Sequence, residues 1–205
     1  MSDAAPAEDL HDAEHWRAGL YALIGRLFFE GPDSVLLAQL RVNASGGEGA
    51  EDTPLGLAWQ QLVSASASAD VVALQHEHAM LFVGVGKTPV TPFTSAYVPG
   101  VSPERHLLLL KQQLEQWGLA SDAASTMPAD HISGVCDTLR HLILRNESVV
   151  AQKNFFEKFI YSQGIAFCKK LIAAAPSHFY IEVAQFTQVF LAVEREGFDM
   201  ISLPT

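Results

Sequence analysis

Few residues in this 205-residue chain are of types and spacings that do chemistry, and each points to a different reaction. His76, His78 and His131, among eight histidines, are candidates for a helical, metal-dependent hydrolase. His76 and His78 are two residues apart, so on a helix they point in different directions. Helical ligand pairs sit three or four residues apart, usually with acids nearby. His11 and His15 have that spacing but fall in a terminal segment of the kind that is commonly poorly ordered. Asp130-His131 has the makings of a hydrogen-bonded acid–base pair. The same two residues also read as the start of a helix, with Asp130 as cap after Pro128. Ser95 lacks the strand and the Gly-x-Ser-x-Gly turn of a nucleophile elbow. Gly84-x-Gly86-Lys87-Thr88 has part of a phosphate loop, without the preceding strand or the full spacing. No nucleophile–base pair and no metal-ligand set emerges. The spacing rules favour a surface that binds over one that catalyses.

The segment from Leu81 to Val98 is the best candidate for that surface. It leaves a helical pattern and runs through two glycines, Pro89 and Pro92. It still carries Val83, Val85, Val90, Phe93, Tyr97 and Val98. Apolar residues in a loop have something to touch.

Composition narrows the partner. Hydrophobic residues are 49% and charged residues 18%, which excludes disorder for most of the chain. A formal net charge of −10 makes nucleic acid a poor partner and a basic peptide a better one. Asp3, Glu8, Asp9, Asp12 and Glu14 precede the first base, Arg17, and no Lys or Arg occurs from Val42 to Gly86. Cys136 and Cys168 are too few for a disulfide scaffold and sit on apolar helix faces, where buried thiols are expected. The N-terminus is acidic without the apolar core of a signal peptide, and no apolar run is long enough to span a bilayer. A reduced, cytoplasmic compartment is expected.

Helical periodicity predicts the elements that must position these residues. Trp16, Leu20, Leu23, Ile24, Leu27 and Phe28 mark one amphipathic helix, stopped by Gly31-Pro32. A short apolar segment, Val35 to Leu40, and a Gly-rich loop near position 46 follow. Leu55 to Val63 begins the next helix, and Asp70 caps another that carries Leu74, His78, Leu81 and Phe82. Ser102 and Pro103 open a helix through Trp117 that ends at Gly118. Its four consecutive leucines, Leu107 to Leu110, predict burial on more than one side. A stripe of Ile132, Val135, Cys136, Leu139, Leu142 and Ile143 follows. The next helix runs from Phe155 with Gly164 as a weak point, and Pro176 separates it from the last, which has a stripe of Ile181, Phe186, Val189, Phe190 and Val193 and ends at Gly197. The expected fold is all-α: a flexible acidic segment over 1–15, then one helical domain over 16–205. No internal repeat is apparent.

In order along the chain, His78-Ala79-Met80-Leu81-Phe82-Val83-Gly84 with Pro92-Phe93-Thr94-Ser95-Ala96-Tyr97, and then Pro128-Ala129-Asp130-His131, resemble the TorD/DmsD family of redox-enzyme maturation chaperones. The likeness is to that family's Leu-Phe-x-Gly, Pro-aromatic-x-Ser-x-aromatic and Pro-x-Asp-His motifs. Ala129 and the polar stretch Thr88–Thr91 depart from the common pattern. The resemblance implies an all-helical cytoplasmic chaperone, not an enzyme. Its partner would be the twin-arginine signal peptide and apo form of a molybdenum-cofactor oxidoreductase of the dimethyl-sulfoxide-reductase type, held before export. It implies peptide-binding roles for Leu81, Phe82, Gly84, Pro92, Phe93, Ser95, Tyr97, Pro128, Asp130 and His131. Asp130 would accept an arginine, and Phe82, Tyr97 and His131 would line the wall beside it. No resident cofactor is implied; weak GTP binding and a transient molybdenum-cofactor contact stay open. So does the oligomeric state, with a monomer as default and a domain-swapped oligomer as the other form.

Overall fold

The computed structural model describes residues 7–42, 52–83, 88–119, 128–176 and 178–201. Nine α-helices lie among them. They are α1 (Ala7–Phe29), α2 (Ser34–Val42), α3 (Pro54–Ala67), α4 (Val71–His78), α5 (Pro103–Gln116), α6 (Ile132–Leu144), α7 (Val149–Phe156), α8 (Ser162–Ala174) and α9 (His178–Ile201). The all-α expectation holds. Local chemistry accounts for the helix ends. Asp70 Oδ1 accepts from the Ala73 amide at 2.8 Å, and Ser102 Oγ from Arg105 at 3.3 Å with Pro103 in the first turn. Gly118, at φ 65°, ends α5 as expected, and Leu119 N–H returns to the Leu114 carbonyl at 2.8 Å.

Two pairings organise the packing. α6 lies along α1, and α9 lies between α3 and α8. Where α1 and α6 cross, Ser133 Oγ donates to the Gly25 carbonyl at 2.7 Å. The core is continuous and rich in rings. Phe28 meets Phe167 edge-on at 4.9 Å, Tyr21 meets Phe190 at 4.9 Å, and Phe82 meets Tyr180 at 5.5 Å. Such edge contacts add about 0.5–1.5 kcal/mol each beyond the area they bury.

Several helix boundaries and faces differ from the periodicity. α1 begins at Ala7, nine residues before its amphipathic repeat. Leu108 is 56% exposed and Leu109 sits at the solvent edge, so α5 is not buried on several sides. It touches the core through one stripe, His106, Leu110 and Leu114. The stripe on α9 is wider than expected and rotated, running through Phe179, Val183, Phe186 and Phe190 with Tyr180, Leu191 and Phe198 beside it. Two helix partners cover α9, which is why Val193 alone of the expected stripe faces solvent. Gly197 does not end α9, which continues to Ile201. Gly164 does not interrupt its helix either and lies inside α8. It is buried at the contact with α9, where a Cβ would come within 2.8 Å of Leu191 Cδ1.

One ionic contact ties the ends of the chain together. Arg17 on α1 grips Glu194 on α9 with both prongs, Nε to Oε1 and Nη2 to Oε2, each at 2.8 Å. Its Nη1 also donates to Glu14, and its guanidinium lies 5.4 Å from the Phe198 ring centre. The buried Tyr21 hydroxyl donates to Glu194 at 3.0 Å. Breaking a largely buried pair leaves an uncompensated charge. Arg17→Ala is therefore expected to lower stability by about 3 kcal/mol, read as a shift in urea midpoint. A loss below about 0.5 kcal/mol would place this contact with ordinary surface pairs instead.

Candidate functional site

The two motif segments, separated in sequence by α5, meet in space. Phe93 and His131 form an isolated antiparallel β-bridge. Thr94 N–H donates to the Asp130 carbonyl at 2.7 Å, and Ile132 N–H to the Pro92 carbonyl at 2.8 Å. Side chains reinforce the bridge. Ser95 Oγ donates to Asp130 Oδ2 at 2.5 Å, and Thr94 Oγ1 to the Asp130 carbonyl at 3.1 Å. Tyr97 OH closes its own loop by donating to the Thr91 carbonyl at 2.8 Å. Its ring packs on Phe167 at 6.0 Å. Gly134, in the first turn of α6, makes the arrangement possible. A Cβ there would lie 2.9 Å from the Ala129 carbonyl oxygen and 3.0 Å from that of Pro128.

These contacts redistribute the roles read from sequence. Asp130 does not cap α6. His131 does, its Nδ1 accepting from Ser133 N–H at 3.2 Å. Asp130 is 6% exposed, and its carboxylate is bonded to Ser95. It is therefore not presented to an incoming arginine. Leu81 and Phe82 are core residues on a π-helical turn, Ala79–Val83, that continues α4. The wider turn points both inward, and Phe82 contacts His78, Tyr180, Phe28 and Phe167 rather than solvent. Pro92 is buried beneath the bridge and Pro128 is exposed at its edge. Gly84 lies outside the described residues, as do Val85, Gly86 and Lys87. The residues before them are helical rather than a strand, which removes the phosphate-loop setting.

The histidines do not converge. His78 is buried with Nε2 3.3 Å from the Phe28 carbonyl, His76 faces solvent, and His131 is a helix cap. Among the described residues no three His, Cys, Asp or Glu side chains gather to hold a metal ion. The hydrolase alternative loses its catalytic set. Cys136 and Cys168 are buried, and burial pushes both thiols up, Cys136 to about 12. They are not reactive at neutral pH.

What reaches the surface is a pair of rings around the buried His131. The His131 ring is held edge-on between Phe29, at 5.6 Å and 87°, and Phe93, at 5.7 Å and 84°. Phe29 is 39% exposed and Phe93 half-buried. From Phe29 a depression of about 230 Å³ runs between α1 and α6. Buried Tyr21, Gly25 and Ser133 line it, together with the more exposed Ala22, Arg26, Glu30 and Asp137. Sequence reasoning missed Phe29, Glu30, Ser133, Asp137 and Gly134. One acid follows the end of α1 and the other lies on α6, with no motif around either, and a glycine gives no sign of the close approach it permits.

The family model described as nitrate reductase delta subunit matches residues 48–168, which contain both motif segments. The chain belongs to this family, the TorD/DmsD group of redox-enzyme maturation chaperones. A TorD-type relative, the chaperone protein TorD of Shewanella loihica, is 26% identical over 212 residues, covering 94% of this chain and 97% of that protein. A crystal structure described as that of a redox enzyme maturation protein from Archaeoglobus fulgidus shares the fold. It has a TM-score of 0.50 at 20% identity and covers 97% of this chain and 98% of that one. As a member of this family the chain is a chaperone and not an enzyme. No helix among the described residues is long and apolar enough to cross a membrane.

Burial pushes the His131 imidazole down to about 4, against the partial opposition of the Asp130 charge. Burial lowers His78 and His106 as well. The His131 cap also requires an unprotonated Nδ1. Protons therefore bind the unfolded chain first. The stability from His131 is complete above about pH 6.5 and is lost as pH falls toward 4, a change on the order of 3 kcal/mol. His131→Asn keeps a capping oxygen and removes the titration. Urea midpoints measured from pH 7 to 4.5 are expected to fall less steeply for this variant than for the wild type. Ser95→Ala leaves Asp130 buried without its hydroxyl donor and is expected to cost about 1–3 kcal/mol in the same assay.

Proposed function

We propose that this maturation chaperone binds the twin-arginine signal peptide of a molybdenum-cofactor oxidoreductase and holds the apo-subunit before export. The observation that carries the reading is the pair of rings Phe29 and Phe93, exposed and half-buried on either side of the buried His131, where the two motif segments cross beside a groove. A twin-arginine leader combines cationic side chains with an apolar stretch. It needs an aromatic or aliphatic wall and carbonyl or carboxylate acceptors close by. Phe29 and Phe93 supply the wall. The Ser95–Asp130 contact keeps the wall in place and does not touch the peptide. The net charge of −10 favours rapid encounter with a basic segment at low salt. A dimethyl-sulfoxide-reductase-type client and a cytoplasmic setting belong to the same reading, as does a transient contact with the molybdenum cofactor.

Calorimetric titration of the full chain with a panel of twin-arginine leader peptides tests it. Saturable binding to at least one leader is expected, and a panel with none overturns the reading. Phe93→Ala is expected to weaken that binding by about tenfold through lost aromatic contact, and to lower stability by about 0.5–1.5 kcal/mol through the lost edge contact with His131.

A further inference from the structure

The depression between α1 and α6 carries chemistry that a purely apolar leader would not use. At about 230 Å³ it is smaller than sites that enclose a drug-sized molecule, and it suits one long side chain. Its lining includes Ala22, Gly25 and the Phe29 ring, with the Ser133 hydroxyl turned to the Gly25 carbonyl. Two carboxylates border it, Glu30 at the end of α1 and Asp137 on the exposed face of α6.

The lining carries two acids and one cation. That cation, Arg26, donates to Asp33 Oδ2 at 2.7 Å in a pair as exposed as that of Arg140 with Asp137. The Tyr21 hydroxyl is turned inward to Glu194. Arg140 lies 3.2 Å from Asp137, but the pair is exposed and on one helix turn, the kind worth little in water. His131, beyond Phe29, stays neutral at physiological pH because burial lowers it.

We propose that this depression is a receptor for a single arginine side chain of a bound peptide, selected by Glu30 and Asp137. The arginine stem would lie over Ala22 and Gly25, since such stems cover apolar surface while the charged head stays wet. The guanidinium plane would stack on Phe29, and its fork would reach a carboxylate at the rim. Asp137 would exchange its exposed partner Arg140 for a less hydrated one. Lysine fits worse, because an ammonium offers neither a fork nor a flat face for the ring. This receptor deepens the leader-binding reading and rests on it only for which peptide brings the arginine.

Amide spectra of the ¹⁵N-labelled full chain, titrated with a blocked Arg-Arg dipeptide and a blocked Lys-Lys dipeptide, test the assignment. Saturable shifts are expected at Gly25, Phe29, Glu30 and Asp137, with Lys-Lys weaker by about tenfold. In the Glu30→Gln/Asp137→Asn double variant, Arg-Arg affinity is expected to fall by about tenfold or more while the spectrum otherwise stays that of the wild type. Shifts at another surface, equal response to the two dipeptides, or unchanged affinity in the double variant overturns the receptor. Leader calorimetry separates the two readings. A leader that binds without these dipeptide shifts removes the receptor alone. Dipeptide shifts here without leader binding remove the leader reading and leave the receptor.

Discussion

Thr94 N–H to the Asp130 carbonyl, and Ile132 N–H to the Pro92 carbonyl, hold the functional face together. These two main-chain bonds are the one β-bridge among the described residues of a helical protein. Each satisfies a polar group that the surrounding core would otherwise strand away from water. They also fix where the loop after α4 stops and where α6 begins. Once that register is set, His131 falls at the N-cap of α6, and its ring comes between Phe29 and Phe93. The Ser95 hydroxyl and the Asp130 carboxylate then close the crossing from one side, at 2.5 Å and out of solvent. A short hydrogen bond to an ionised carboxylate is among the stronger ones available.

The polar residues most suggestive of chemistry are thus committed to structure. Asp130 holds a loop, His131 caps a helix, and His78 faces a backbone carbonyl. The buried ion pair works the same way, with Arg17 joining the first helix to the last. This division suits a chaperone. A site that binds a segment and releases it needs a rigid wall and acceptors at its rim, and its buried groups need satisfied partners. The pair of rings is anchored from behind by the bridge, so a peptide would meet preordered rings with little side-chain entropy left to lose.

Electrostatics and shape act at different ranges here. The overall negative charge draws in basic segments from a distance, and salt screens it over about 10 Å. The groove acts only at contact. In the proposed receptor, Glu30 and Asp137 line the groove with the Phe29 ring, where partial dehydration strengthens charge pairing. Arg26 in the lining dilutes this effect, since its pair with Asp33 is as exposed as that of Arg140 with Asp137.

Much of the fold was legible in the residues, because its signals are local. Helix periodicity, Asp70 and Ser102 as caps, and Gly118 as a stop depend on neighbours within one or two turns. The motif order also pointed to the family. The site was legible only as a set of residues, not as an arrangement. Nothing local tells Asp130 that Ser95, 35 residues away, will donate to it. Periodicity counts apolar residues without knowing how many helices will cover them, so it buried Leu108 and Leu109 and turned the stripe of α9. Phe29, Glu30 and Asp137 carry no motif and become a surface only where α1 and α6 pack together, joined by the Ser133–Gly25 hydrogen bond. The sequence by itself determined the helices, their caps, the excess of acid and the kinship. The tertiary structure alone decided which polar groups are enclosed and which face solvent, because that depends on contacts between residues far apart in the chain.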